Sequence, residues 1–156
     1  MKFPFQRVDV DPTPAFPTDV IYRPVIPILI GPKDGPRKPF FGLLDTGADD
    51  TVLPLSEAVR LGVTLDRSVL VGFQGMGGGS NGFYGEVSLE LRRSPRSYIW
   101  TTWAAFLPDP PGVSPEDRPN ISLGHSGFFR FFRADFDFQR HRVKIRPNGL
   151  FVGRHN

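Results

Sequence analysis

The chain has 156 residues, no cysteine and a formal net charge of +3. This length favours a single domain, and the lack of cysteine excludes disulfide scaffolds, thiolate nucleophiles and cysteine-based zinc sites. The 17 glycines and 17 prolines indicate many loops, while 15 phenylalanines supply the apolar surface that a disordered chain lacks. We therefore expect a loop-rich, mostly β domain with an aromatic core.

Prolines and short apolar runs define the expected elements. Residues 1–17 hold four prolines and are expected to form an extended arm, with residues 18–156 as a single domain. Pro24 and Pro27 argue against a place in the middle of a sheet for the first strand. In chain order, strands are expected over residues 18–30, 40–44, 51–53, 69–73, 83–91, 98–107, 133–138 and 142–146.

Two short helices complete the prediction. Residues 54–61 can form the first, because proline suits a helix start and Gly62 suits its end. Residues 124–132 can form the second, after a proline-rich loop over residues 108–119. Many short strands separated by turns favour an all-β closed barrel or folded sheet with one or two short helices.

The positive charge is concentrated near the C-terminus. Residues 1–117 hold 11 Lys and Arg against 14 Asp and Glu, whereas residues 118–156 hold 8 against 2. This balance leaves nucleic-acid binding as a weaker alternative. Arginines and lysines spaced by two are equally typical of the solvent face of a strand: Arg140, Arg142, Lys144 and Arg146. Neither a signal peptide nor a membrane-spanning run is evident, so we expect a cytoplasmic protein.

Three weak patterns are set aside. Residues 78–82 match G-x-S-x-G and residues 77–82 match G-x-G-x-x-G, but both motifs need a following helix, and a strand pattern follows here. The three histidines show no spacing typical of metal ligands. We therefore predict neither a metal site nor a cofactor.

One segment, residues 43–50, contains a candidate catalytic carboxylate. In residues 43–50, LLDTGADD, an apolar strand delivers the carboxylate of Asp45 to its end. Thr46 follows, and then Gly47, where the backbone can turn sharply or approach a ligand closely. The alternative is an Asx-turn, in which Asp45 only bonds neighbouring backbone.

The run from residue 43 to residue 53, LLDTGADDTVL, resembles the active-site segment of retroviral aspartic proteases, the retropepsins. Residues 72–82 lie where that family has its glycine-tipped flap. Residues 120–124, NISLG, resemble its second apolar-Gly motif, with a helix after it at residues 128–132. The similarity covers roughly residues 20–146, and the overall layout is closer still to small bacterial proteins of this type. It implies the acid-protease fold, a retropepsin-like closed barrel.

The resemblance also implies an activity, the hydrolysis of peptide bonds by a water molecule held between two aspartates. Asp45 would be the catalytic residue, supported by Thr46, Gly47 and Ala48. Substrate contacts would come from Asp49, Asp50, Gly77, Gly78 and Gly79, the glycines belonging to a mobile flap. His125 stands where the family often has an arginine that pairs with the acid here at Asp49. Because a neutral histidine pairs less well, a weaker or pH-tuned dimer is expected.

The chain has a single D-[ST]-G sequence. The chemistry therefore requires a homodimer in which each chain contributes one Asp45. The apolar ends, residues 1–5 and 150–152, could complete the interface. A peptide or protein substrate is implied, with no membrane and with nucleic acid a minor alternative. A second hypothesis is a catalytically silent module of the same fold that binds peptides or dimerises.

Overall fold

Short strands make up most of the chain in the computed structural model, which describes residues 1–75, 78–109, 112 and 121–155. In chain order they are β1 (Lys2–Pro4), β2 (Gln6–Asp9), β3 (Val20–Arg23), β4 (Val25–Pro32), β5 (Lys38–Leu44), β6 (Val52–Pro54), β7 (Leu65–Gly75), β8 (Gly78–Arg93), β9 (Arg96–Leu107), β10 (Ile121–Leu123), β11 (Phe132–Asp137), β12 (Arg142–Pro147) and β13 (Arg154–His155). A helix, α1 (Leu55–Leu61), follows β6, and a π-helix (His125–Phe129) follows β10. Neither helix in the described part of the chain has the length and hydrophobicity of a membrane span.

The central sheet closes on itself. Neighbouring strands pair in the order β9, β6, β10, β5, β4 and β8, and β8 pairs back onto β9. The barrel is antiparallel except where β10 pairs with β5 and where β6 pairs with β9, which are both parallel contacts. The expected all-β closed barrel with one or two short helices is therefore confirmed.

The first helix forms as its sequence predicts. Pro54 precedes it in extended conformation, and Gly62 ends it with a φ of 74°. This left-handed conformation suits glycine, and the Gly62 N–H satisfies the carbonyls of the last turn. The helix packs Ala58 and Leu61 against the barrel and leaves Val59 exposed.

Aromatic rings fill the core beneath the π-helix. Trp100 lies edge-on to Phe132 with ring centroids 4.7 Å apart, and Phe128 stacks on Phe132 at 5.0 Å. Phe106, Phe128 and Phe132 are all fully buried. Since burial of each such ring contributes about 1.5–3 kcal/mol, this cluster fixes the π-helix against the sheet.

Strand β4 occupies the middle of the sheet, although Pro24 and Pro27 argue against such a place. Pro24 lies before the strand begins, and Pro27 pairs with Phe41 of β5. The pairing of β4 with β8 starts only at Leu29. Pro27 therefore lies where β4 pairs with β5 alone. Its missing N–H does not interrupt the hydrogen bonds between β4 and β8.

The two ends of the chain return to the folded body. Strand β1 pairs with β12, which also forms a hairpin with β11, and β13 pairs with β9. Within residues 1–17, expected as an extended arm, β2 also pairs with β3, and Phe3 and Phe5 are buried. Residues 1–5, expected as a possible contact between chains, thus pair within their own chain.

The basic C-terminal strands are partly neutralised. Arg133 and Arg146 form ion pairs with Asp135, and Arg140 and Arg142 form them with Asp137. On β12 the buried residues are Val143 and Ile145, with the basic residues between them facing outward. The alternation expected of a solvent-facing strand is therefore present.

Candidate active site

Asp45 lies at the end of two parallel strands. It is the first residue after β5, and its N–H donates to the carbonyl of Leu123, the last residue of β10, at 3.2 Å. Leu44 and Leu123 are register partners and are both buried. The buried strands therefore hold the Asp45 backbone firmly and present its side chain at the edge of the barrel.

Each oxygen of the Asp45 carboxylate has a partner. Oδ1 accepts the Gly47 N–H at 3.0 Å, and Oδ2 accepts the Ser122 hydroxyl at 3.3 Å. The first contact is the one expected of an Asx-turn, whereas the second comes from a different strand. The side chain is half-buried, and Thr46 and Gly47 beside it are exposed. The carboxylate is thus held in place while its loop stays open on one side.

Sequence reasoning missed Ser122 as a partner of Asp45. It lies between Ile121 and Leu123, which are buried, so its side chain points to the opposite face of β10. A polar residue between two apolar ones, two positions before Gly124, was the available signal. Its contact with Asp45 depends on the parallel pairing of β5 and β10, which cannot be derived from local pattern.

The start of the π-helix clamps the loop that carries Asp45. The N–H of His125 donates to the Ala48 carbonyl at 2.9 Å, and that of Ser126 donates to the Asp49 carbonyl at 2.8 Å. Gly124 permits this approach, because a Cβ at that position would lie 2.2 Å from the Asp50 carbonyl oxygen. The apolar-Gly motif thus supports the D-T-G loop through backbone contacts.

His125 takes a position that the sequence did not indicate. Its Nε2 lies 2.8 Å from the carbonyl oxygen of Thr46, to which an Nε2–H donates. The resemblance implied that His125 replaces an arginine that would pair with Asp49. The structure describes both residues, and no ion pair joins His125 to Asp49. His125 instead fixes the backbone of the residue that follows Asp45.

Asp50 links the loop to two other elements. The Tyr84 hydroxyl of β8 donates to Oδ2 at 2.8 Å, and the Ser126 hydroxyl donates to Oδ1 at 2.7 Å. Partial burial, this hydrogen bond and the negative charges of Asp50 and Asp49 raise the pKa of Tyr84 to about 12. Tyr84 therefore stays protonated and remains a donor throughout the physiological range.

Strands β7 and β8 form the hairpin expected as a flap. Gly78 pairs with Gly75 and Gly79 with Gln74, while Gly77 lies outside the described residues. Because β8 runs without interruption from Gly78 to Arg93, no helix follows the two glycine motifs set aside above. In the part of the chain that the structure describes, no cluster of side chains is suited to a metal ion.

Comparison with solved structures finds a similarity to a protease. No protein-family model matches the chain, and no curated protein does. The chain is similar to the EIAV protease in complex with the inhibitor HBY-793, with 27% sequence identity and a TM-score of 0.45. The match covers 66% of this chain and 82% of that one. It gives no support to the narrower expectation of a small bacterial type, which stays a prediction.

Proposed function

We propose that this protein is an aspartic-type endopeptidase in which two copies of the chain each contribute Asp45. The observation that carries the proposal is the Asp45 loop itself. A half-buried carboxylate is fixed by a backbone N–H and a hydroxyl, next to two exposed residues, Thr46 and Gly47. Because the Asp45 carboxylate is fixed and its neighbours are exposed, the loop can contact the identical loop of a second chain across a two-fold axis.

The chemistry follows from two carboxylates at close range. Because two negative charges so close together repel each other, the pair holds one proton between them. The ionised carboxylate takes a proton from a water molecule, which attacks the scissile carbonyl, while the protonated one donates to the carbonyl oxygen. The resulting titration belongs to the pair and not to either Asp45.

The other residues take supporting roles in this proposal. Thr46 and Gly47 would meet the partner loop and the substrate backbone, and Ala48 would complete the loop that His125 holds. Peptide contacts would come from the exposed loop and from the hairpin: Asp49, Asp50, Gly77, Gly78 and Gly79. Closure of the hairpin would exclude water from the reacting groups. A cytoplasmic location also stays a prediction.

Surfaces for a second chain are available. Leu150 and Val152 are exposed apolar residues near the C-terminus, with 62% and 84% of their surface accessible. Strand β1 lies at the outer edge of its sheet, but the Arg93 guanidinium already donates to its Lys2 carbonyl. Exposed apolar side chains are a feature that a two-fold interface can cover.

The test is Asp45→Asn, measured with a peptide library between about pH 4 and pH 7. Asparagine keeps the size of the side chain and can still accept the Gly47 N–H, but it cannot act as a base. We expect hydrolysis to be lost while sedimentation still shows a dimer. Asp19→Asn, which removes an exposed carboxylate just before β3, is the matched control and should cleave normally.

Two outcomes would contradict the proposal. A strictly monomeric wild type at high concentration would exclude a shared pair of aspartates. A dimeric wild type that binds peptides as well as Asp45→Asn does, and cleaves none of them, would instead support a binding module of this fold.

A further inference from the structure

A cavity of about 360 Å³ lies beside the proposed active site. Part of its lining belongs to the network already described, namely Asp50, Tyr84 and Ser126. Asp66, Trp103 and Arg130 supply charge and an aromatic surface from other elements. The volume falls within the usual range of small-ligand sites.

The carboxylate of Asp50 is preorganised within this cavity. Hydroxyl groups of Tyr84 and Ser126 hold both of its oxygens, so its position does not depend on a ligand. Neither hydroxyl donor carries a positive charge, and the negative charge of Asp50 is therefore not cancelled by them. A fixed carboxylate of this kind favours a cationic ligand at low cost in side-chain entropy.

A second carboxylate and an indole add to the attraction of the cavity for cations. Oδ1 of Asp66 accepts the Ser68 hydroxyl at 2.6 Å and its N–H at 2.9 Å. These hydrogen bonds lower the pKa of Asp66, which stays ionised. Trp103 is 51% exposed, although it is a large aromatic residue on a barrel strand. An open indole face attracts ammonium and guanidinium groups.

Arg130 is the opposing charge in the lining. Its guanidinium lies over the ring of Phe131, 5.8 Å from the ring centroid. Because the carboxylates of Asp50 and Asp66 outnumber this one guanidinium, the lining of the cavity carries one net negative charge. Such a lining favours a cation, and removing Asp66 or Arg130 should change that preference in opposite directions.

We propose that this cavity binds a lysine or arginine side chain of the peptide substrate, an inference that rests on the proposed peptidase function. Asp50 and Ser126 belong to the loop and the helix that hold Asp45, so an extended peptide at Asp45 passes close to the cavity. The ligand is therefore a side chain of the same peptide, and the carboxylates and Trp103 select its charge.

The experiment compares cleavage rates of one peptide series. A peptide that the wild type cleaves is varied singly to Lys, Gln or Glu at each position on both sides of the scissile bond, and kcat/KM is measured. We expect one position at which Lys exceeds Glu by about tenfold, as charge and cation–π contacts together allow. Asp66→Asn should reduce this ratio by about threefold, and Arg130→Gln should increase it by a similar factor.

Asp19→Asn removes a carboxylate outside the cavity, and its Lys-to-Glu ratio should equal that of the wild type. Cleavage with no preference for Lys at any position, or a preference that neither Asp66→Asn nor Arg130→Gln alters, would overturn the cavity inference and leave the peptidase proposal intact. Absence of cleavage of every peptide by a dimeric wild type would contradict both.

Discussion

At the residue scale, the site depends on a backbone contact that only glycine permits. A side chain at Gly124 would meet the carbonyl oxygens of Asp50 and Ala48 at 2.2 and 2.6 Å, and backbone atoms cannot move aside as a flexible side chain can. We expect Gly124→Ala to lower the free energy of unfolding by about 1–3 kcal/mol, the usual cost of overpacking. Urea denaturation measures the change.

Gly149→Ala is the matched control for this substitution. A Cβ at Gly149 meets no atom within 4 Å, and the residue is exposed. Its effect should stay within about 0.5 kcal/mol, as for most surface substitutions. Equal losses of stability in the two variants would contradict the close packing of Gly124 against the Asp45 loop.

Tyr84 provides a pH-dependent test of the contact with Asp50. Its pKa is raised from 10.0 to about 12 in the folded protein. The unfolded chain therefore loses this proton first, so the stabilisation is complete below pH 10.0 and is lost as pH rises to about 12. In a phenolate absorbance titration, one of the three tyrosines should ionise near pH 12, and Tyr84→Phe should remove that step. Loss of a step near pH 10 instead would contradict the contact.

Some residues of the site were predicted from the sequence, and others were missed. The run from Asp45 to Asp50 was recognisable because an apolar strand, a carboxylate and a glycine are adjacent in the chain. Ser122 and Tyr84 were not recognised, since they are 77 and 34 residues away from the aspartates they contact. Only the closed barrel, through strands β10 and β8, brings these hydroxyl groups to the loop.

At the scale of elements, the hairpin of β7 and β8 has two different halves. From Gly78 to Gly82, β8 pairs with β7 alone, whereas from Val87 to Glu90 it lies between β4 and β9. The ladder between β7 and β8 is interrupted between Asp66 and Val71, so four residues of β7 leave the pairing. This interruption is suited to act as a hinge for the outer half.

Hydrogen exchange followed by residue tests the hinge. Amides of the outer half, Val71 to Gly75 and Gly79 to Gly82, should exchange much faster than those from Val87 to Leu91, which are buried in the barrel. The central amides then serve as the internal reference. Uniform protection along β8 would argue against a hairpin that opens independently of the barrel.

Local sequence patterns located most elements because their chemistry is local. Gly62 ends α1 as predicted, and Val87, Leu89 and Leu91 lie at every second position of β8 and are all buried. The polar face of β8 was less predictable, since Ser88 and Glu90 are buried there. Arg37 bonds Ser88 from 51 residues away, and Ser97 bonds Glu90. Such burial depends on partners that local pattern does not identify.

At the scale of the whole molecule, the central claim is that one chain forms half of an active site. The sequence contains one D-T-G, and the structure places its Asp45 on a loop with two exposed neighbours. The terminal strands β1 and β13 pair within their own chain, so we expect the proposed interface to use the Asp45 loop and the exposed Leu150 and Val152.

The most direct test of this claim is the activity of mixed dimers. Wild-type chains are refolded together with a threefold excess of Asp45→Asn chains, and peptide cleavage is compared with that of wild type refolded alone. If two Asp45 residues form one site, random pairing leaves only about a quarter of the wild-type chains with a wild-type partner. Cleavage per wild-type chain should then fall to about one quarter, whereas a threefold excess of Asp19→Asn chains, which cleave normally themselves, should raise it about fourfold. Unchanged activity per wild-type chain in the Asp45→Asn mixture would show that each chain works alone and would contradict the shared active site.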